Sequence, residues 1–114
     1  MAIKQSKLIQ YSNSCEFEGT VSSEPTLSVE TDKKTNKILP VLSFSISQPS
    51  VFIPLTITGT LATDLSSVIQ QGDKIFVKAA YNTLLLKDLP PIQTFLVYYL
   101  IFIEKQDAHM LFTA

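Results

Sequence analysis

The sequence predicts an all-β domain with one short helix, folded as a small closed barrel. Apolar and polar residues alternate along successive stretches of the chain, as they do in strands that bury one face. Between two of these stretches, residues 59–71 carry their apolar side chains at helical spacing instead. A helix placed between the third and fourth of five strands is the arrangement of an OB-fold barrel. We therefore predict a five-stranded OB-fold barrel.

The first strand begins at Ser14, after an expected N-terminal arm of residues 1–13. Gly19 lies within the strand and predicts a bulge or a sharp bend, because long first strands of small barrels must curve. The alternation is interrupted by Ser22–Pro25 and resumes from Thr26 to Thr31. A polar loop follows at residues 31–37.

This polar loop has turn-forming residues and carries Lys33, Lys34 and Lys37 against the single carboxylate of Asp32. Two interpretations stay open. The loop is either a solvated hairpin tip or a flexible basic finger that contacts phosphates.

An aromatic ring is expected on the polar face of the strand Val51 to Thr58. Side chains alternate between the faces of a strand, so the apolar row of this strand points one way and Phe52 the other. The next strand, Lys74 to Asn82, repeats the feature, because Phe76 lies on the same face as Lys74 and Lys78. Phe52 and Phe76 are thus two candidate exposed rings.

The last strand, Phe95 to Ile103, is apolar at every position, which indicates burial on both faces. In a domain this small the second face is hard to cover from within, so we expect a homo-oligomer, a dimer or a tetramer. The preceding loop is rich in leucine, from Leu84 to Leu89, and ends at two prolines. We place the OB-fold domain at residues 14–105 and a C-terminal tail at 106–114.

Composition excludes several classes of function. The chain has one cysteine, Cys15, and one histidine, His109, so no intrachain disulfide forms and no metal site is expected. Neither paired carboxylates nor a nucleophile with a base is recognisable, and we expect no enzyme activity and no cofactor. The nine lysines and no arginine, with a formal net charge of −1, give no general attraction to a polyanion. A strong nucleic-acid binder is therefore not expected.

The chain is expected to be a soluble, intracellular protein with no membrane partner. Its first ten residues contain no continuous apolar stretch of the kind found in signal peptides. The apolar run from Phe95 to Ile103 is well short of the roughly 20 residues that a spanning helix needs. We expect it in the cytoplasm or in a plastid interior.

Three short motifs carry a resemblance to a known family. They are Phe17–Val21 with Glu24–Leu27, Thr58–Ala62, and Gln71–Val77. Together they resemble three parts of bacterial single-stranded DNA-binding proteins and their primosomal relatives: the opening strand, the junction from strand to helix, and the Lys-Gly-Asp motif that leads from the helix to the next strand. The resemblance is compatible with a family member encoded in a plastid or a cyanobacterium. The resemblance implies an OB-fold and single-stranded DNA as the ligand.

The resemblance also implies roles for single residues. Counted back from Gly59, Phe52 occupies the position of the family's main base-stacking tryptophan. Phe76 occupies a position in the fourth strand at which the family has an aromatic residue. Thr58 and Leu86 stand where the family has two further stacking aromatics.

Two functions stay open. The first is weak or specialised binding of single-stranded DNA, or of RNA, by stacking on Phe52 and Phe76. Phosphates would then be neutralised by six lysines: Lys33, Lys34, Lys37, Lys74, Lys78 and Lys87. The alternative is a protein-interaction or structural OB module that has lost nucleic-acid binding, and that works through the leucine-rich loop and the strand 95–103.

Overall fold

Six strands and one helix make up the structure, a computed structural model that describes residues 13–106. The strands are β1 (Ser14–Val21), β2 (Thr26–Thr31), β3 (Ile38–Gln48), β4 (Val51–Thr58), β5 (Lys74–Leu84) and β6 (Ile92–Glu104). The helix, α1 (Thr60–Leu65), connects β4 to β5. The predicted arm and tail lie outside the described residues, apart from Asn13 and Gln106.

The strands close into a ring in the order β1-β5-β6-β4-β3, with β2 extending β3. Closure depends on β1, which pairs with β5 along most of its length and with β3 at Thr20 and Val21. A short parallel contact, Leu55 opposite Phe95, joins β4 to β6. The remaining pairings are antiparallel. The predicted OB-fold barrel is confirmed.

The predicted strand count and helix position need correction, because α1 follows the fourth of six strands. The extra strand arises where the first predicted strand breaks. Val21 lies opposite Ile46 and Thr26 opposite Ser43, so β1 and β2 both run antiparallel to β3. The intervening residues 22–25 carry two more positions than β3 offers opposite them. This bulge divides one long strand into β1 and β2.

The core consists of the inward rows of the strands. Its largest fully buried members include Leu42, Ile46, Leu55, Ile57 and Ile75. Ala62 and Ile69, from α1 and the turn after it, join the same cluster.

A close approach of two backbones explains the glycine in β1. A Cβ atom on Gly19 would lie 2.6 Å from the carbonyl oxygen of Ser47. Glycine therefore lets β1 bend from β5 towards β3 and close the barrel.

The apolar strand β6 is covered on one face only. Relative to β5, it carries an extra residue between Val97 and Tyr99, which shifts the alternation by one position. Phe95, Val97, Leu100 and Phe102 belong to or pack against the core. The side chains of Tyr99, Ile101 and Ile103 remain 44%, 44% and 45% exposed. The expected burial of both faces is not achieved within one chain.

No helix within residues 13–106 is long and apolar enough to cross a membrane. In the same part of the chain, no group of three His, Cys, Asp or Glu side chains comes together in a way that could hold a metal ion.

Candidate nucleic-acid interface

Phe52 is the most exposed aromatic ring of the candidate surface. Alternation along β4 sends Ile53, Leu55 and Ile57 into the core and Phe52 outwards. Its cross-strand neighbour is Ser47, which is too small to cover a ring. As a result, 73% of Phe52 is exposed. A flat ring of this kind can stack against a base.

An open groove of about 490 Å³ begins at Pro54, two residues along β4 from Phe52 and on the same face of the strand. Its floor is the outer face of β3 and β4, where Ser43 and Thr56 are cross-strand partners. The start of β6 forms one wall, and the hydroxyl groups of Thr56 and Thr94 share a hydrogen bond of 2.8 Å across that junction. The β1–β2 link forms the other wall and includes Glu24. The groove is mainly lined by hydroxyl and apolar groups.

The lysine-rich loop is a closed hairpin tip. The amide of Asp32 donates to the carbonyl of Lys37 at 2.8 Å, and the amide of Asn36 donates to the carbonyl of Asp32 at 2.7 Å. Asn36 adopts a φ of 59°, a left-handed conformation that asparagine tolerates well. Lys33, Lys34 and Lys37 are exposed around this turn. The solvated hairpin tip describes it better than a flexible finger.

A second loop brings Lys87 to the same place. The amide of Lys33 donates to the carbonyl of Leu85 at 3.1 Å, and the amide of Lys87 donates to the carbonyl of Thr31 at 2.9 Å. A single bridge, Asp32 opposite Leu86, continues this antiparallel contact. Lys33, Lys34, Lys37 and Lys87 therefore form one exposed cluster, which we call the lysine tip.

The leucine-rich loop is mostly buried. Leu84 and Leu86 pack with Val41 in a small cluster on the outer side of β3, against which Leu39 also packs. Leu86 is 2% exposed and cannot stack on a base, although the family resemblance points to its position. As a working surface for an interaction module, the loop would offer Leu89 but neither Leu84 nor Leu86.

Phe52, the groove and the lysine tip follow one another along β3. Phe52 lies opposite Ser47, the groove lies at Ser45 and Ser43, and the tip begins just before Ile38. At about 3.3 Å per residue, Phe52 and the tip are roughly 30 Å apart. A bound strand of several nucleotides could contact all three.

Phe76, Lys74 and Lys78 form a separate patch on β5. Their side chains point outwards, as predicted, but each has a neighbour within the chain. The rings of Phe76 and Tyr99 are in an edge-to-face contact with centroids 6.5 Å apart. Lys78 Nζ lies 5.1 Å from the centroid of the Tyr99 ring. Lys74 Nζ lies 4.0 Å from a carboxylate oxygen of Glu18.

The two phenylalanines do not form one stacking platform. Phe52 lies opposite Ser47, Ser47 opposite Thr20, and Thr20 opposite Lys74, whose strand carries Phe76. Two strands therefore separate Phe52 from the β5 patch, a path of about 14 Å of curved sheet. A strand that contacts both must wrap around the barrel.

The groove residues were not predicted as site residues. Glu24, Ser43 and Gln93 come from the β1–β2 link, β3 and β6, and they meet only because the barrel closes. The alternation of residues within one strand does not indicate that side chains from these three elements line the same groove.

No protein-family model and no curated protein matches this sequence. Solved structures do match. The SSB domain of a Synechococcus protein superposes with a TM-score of 0.59 at 19% identity, covering 77% of this chain and 92% of that one. The chain has the fold of SSB domains.

The structures of two eukaryotic proteins are also similar to this chain. The mitochondrial single-stranded DNA-binding protein Rim1 of Saccharomyces cerevisiae has a TM-score of 0.57 at 13% identity, covering 83% of this chain and 97% of that one. A Plasmodium falciparum SSB, solved in complex with single-stranded DNA, has a TM-score of 0.52 at 15% identity. It covers 81% of this chain and 95% of that one.

Proposed function

We propose that this chain binds single-stranded DNA on the outer face of β3 and β4, with Phe52 as the principal stacking ring. The observation that carries the proposal is the 73% exposure of that ring beside an open groove. Leaving a phenylalanine in water is unfavourable, and an exposed ring next to a concave surface is typical of a ligand site. The likeness to an SSB solved with single-stranded DNA supports the choice of ligand.

The lysine tip supplies the phosphate contacts at the far end of this surface. Lys33, Lys34, Lys37 and Lys87 are exposed. Ammonium groups contact phosphates without reading the bases, so these contacts add affinity rather than sequence preference. Phe76, Lys74 and Lys78 are further contacts for strands long enough to pass around the barrel.

The binding is weak. One stacked base contributes about 1–3 kcal/mol by alanine substitution, and the chain offers few such rings. Its formal net charge of −1 provides no long-range attraction. A few lysine contacts added to the stacking give roughly micromolar affinity at low salt.

The same contacts accept single-stranded RNA. Stacking on Phe52 and ammonium contacts to phosphate do not involve the 2′ position of the sugar, at which DNA and RNA differ. RNA oligomers are therefore the second ligand to measure.

A second copy of the chain covers the outer face of β6. Tyr99, Ile101 and Ile103 leave adjacent apolar surface in water. Apolar patches of this kind usually mark interfaces. The assembly is a dimer or a tetramer.

The same face of β6 favours a second candidate function. If it binds another protein instead of a second copy, the chain acts as an interaction module and nucleic acid is not its ligand. A monomer that fails to bind oligonucleotides would favour this alternative.

The decisive experiment changes the ring at position 52. Fluorescent oligo-dT and oligo-rU are titrated with the wild type, Phe52→Leu and Phe52→Tyr at low salt. Leucine keeps an apolar side chain but removes the ring, and it should weaken binding about tenfold. Tyrosine keeps the ring and should bind like the wild type. Binding that is absent in the wild type, or equal in the leucine variant, would contradict the proposal.

A further inference from the structure

Glu24 places a carboxylate on the wall of the groove. The side chain is exposed, and within residues 13–106 it receives no hydrogen bond and forms no ion pair. A ligand in the groove therefore meets a negatively charged carboxylate that is in contact with water. Its oxygens are free to accept hydrogen bonds.

The backbone that carries Glu24 is anchored to β3. The amide of Ser22 donates to the carbonyl of Ser45 at 2.8 Å. The amide of Ser45 in turn donates to the hydroxyl of Ser23 at 2.9 Å. Because both residues before Glu24 are tied to one position of β3, the backbone of Glu24 is held at the wall of the groove instead of moving with a free loop.

The groove is unsuited to phosphate. None of the lysines of the described residues lines it, and its one charged side chain is that of Glu24. A phosphate there would meet a like charge. The bases of a bound strand therefore occupy the groove, while its phosphates lie outside it and towards the lysine tip.

The edges of the bases differ in what they offer to a carboxylate. Cytosine, adenine and guanine each carry an exocyclic amino group that donates hydrogen bonds, and a glutamate can accept from the amino group of cytosine. Thymine and uracil present one N–H between two carbonyl oxygens, which the carboxylate repels. Ser43 and Gln93, on the floor and the opposite wall, can donate or accept and do not reverse this preference.

We propose that the groove reads base edges, and that Glu24 selects strands with amino-bearing bases over thymine or uracil runs. This inference rests on the proposed single-strand binding and specifies its ligand. It predicts that the wild type binds oligo-dC more tightly than oligo-dT.

The test compares two variants that lose the same charge. Glu24→Gln removes the carboxylate from the groove, whereas Glu16→Gln removes an exposed carboxylate from β1, which does not line the groove. Fluorescent oligo-dC and oligo-dT of about 16 nucleotides, the upper end of the site size of one OB fold, are titrated at neutral pH. The measured quantity is the ratio of the affinity for oligo-dC to the affinity for oligo-dT. Comparing this ratio between variants removes the general effect of the lost charge and the difference in stacking between the two oligomers.

The expected result is a dC-to-dT affinity ratio that falls by about fivefold in Glu24→Gln, the lower end for one base-edge contact, and that is unchanged in Glu16→Gln. Equal ratios in the wild type and Glu24→Gln would overturn the inference and leave single-strand binding intact. If the wild type binds neither oligomer at low salt, the proposed function fails and the inference fails with it.

Discussion

The carboxylate of Asp73 is fully buried and lies 2.8 Å from Nζ of Lys105, 32 residues away in the sequence. The same carboxylate accepts hydrogen bonds from the amides of Gln70 and Gln106. It thereby fastens the turn that precedes β5 to the end of β6. These contacts hold the helix side of the barrel against its last strand.

Removing this carboxylate should cost about 3 kcal/mol of unfolding free energy. Asp73→Ala leaves two backbone amides without acceptors, and a hydrogen bond to a charged group contributes about 1.5–3 kcal/mol. Urea denaturation monitored by circular dichroism measures the change. Glu104→Gln, at an exposed neighbouring position, should stay within about 0.5 kcal/mol of the wild type. Equal stability of the two variants would contradict the assigned role of Asp73.

Gly19→Ala should destabilise the barrel more than Glu16→Ala, at an exposed position of the same strand. At Gly19 the added Cβ would lie 2.6 Å from the backbone oxygen of Ser47, so one of the two strands must move, at a cost of about 1–3 kcal/mol. At Glu16 the side chain is exposed to solvent, so replacing it by alanine should change the unfolding free energy by no more than about 0.5 kcal/mol. Denaturation midpoints of the two variants measure the difference, and equal midpoints would refute the close-approach explanation.

The lysine tip should account for the salt dependence of binding to short strands. On single strands each lysine contact contributes about 0.7 to the slope of log affinity against log salt. Lys34→Gln and Lys37→Gln should each lower the slope by about that amount for oligomers of about 6 nucleotides.

Lys78→Gln is the matched control for the lysine tip, because the β5 patch lies two strands away from Phe52. With short oligomers its slope should equal that of the wild type. With longer oligomers, which can pass around the barrel, the salt slope of Lys78→Gln should be smaller than that of the wild type. A tip variant with the wild-type slope would exclude that lysine from the interface.

A charge on the outer face of β6 should dissociate the assembly. Ile101→Lys introduces an ammonium group into the proposed subunit contact, where burying it unpaired is costly. Sedimentation at micromolar concentration should show a monomer with the circular dichroism spectrum of the wild type. Ile38→Lys, at an exposed position on the β2–β3 hairpin, should sediment like the wild type. A wild type that is itself monomeric would contradict the contact.

Alternation was sufficient to predict the inward row of β3 and most of the inward rows of β4 and β5, since side chains in a strand have a period of two. Val51 and Tyr81, expected on the inward rows of β4 and β5, remain 45% exposed. It could not divide the first strand into β1 and β2, because the extra residues at 22–25 are defined only by their register against β3. In β6 the extra residue after Val97 shifts the alternation, and in an apolar run no polar position reveals the shift.

The candidate site was predictable only where a single strand determines it. Phe52 could be assigned to the outer face from β4 alone. Lys87 joins Lys33 only through backbone hydrogen bonds between loops about 50 residues apart, which no local pattern of residue types encodes. The same holds for Glu24 and Gln93, which face each other only after the ring of strands closes.

The ladder between the hairpin at Thr31–Lys33 and the loop at Leu85–Lys87 has a thermodynamic consequence. The hairpin and the loop are therefore joined by hydrogen bonds before any nucleic-acid strand binds. Association then loses less conformational entropy than it would with two independent loops, and more of the contact energy appears as affinity. The lysine tip is in this sense preorganised, which favours the proposed binding by a domain with few cations.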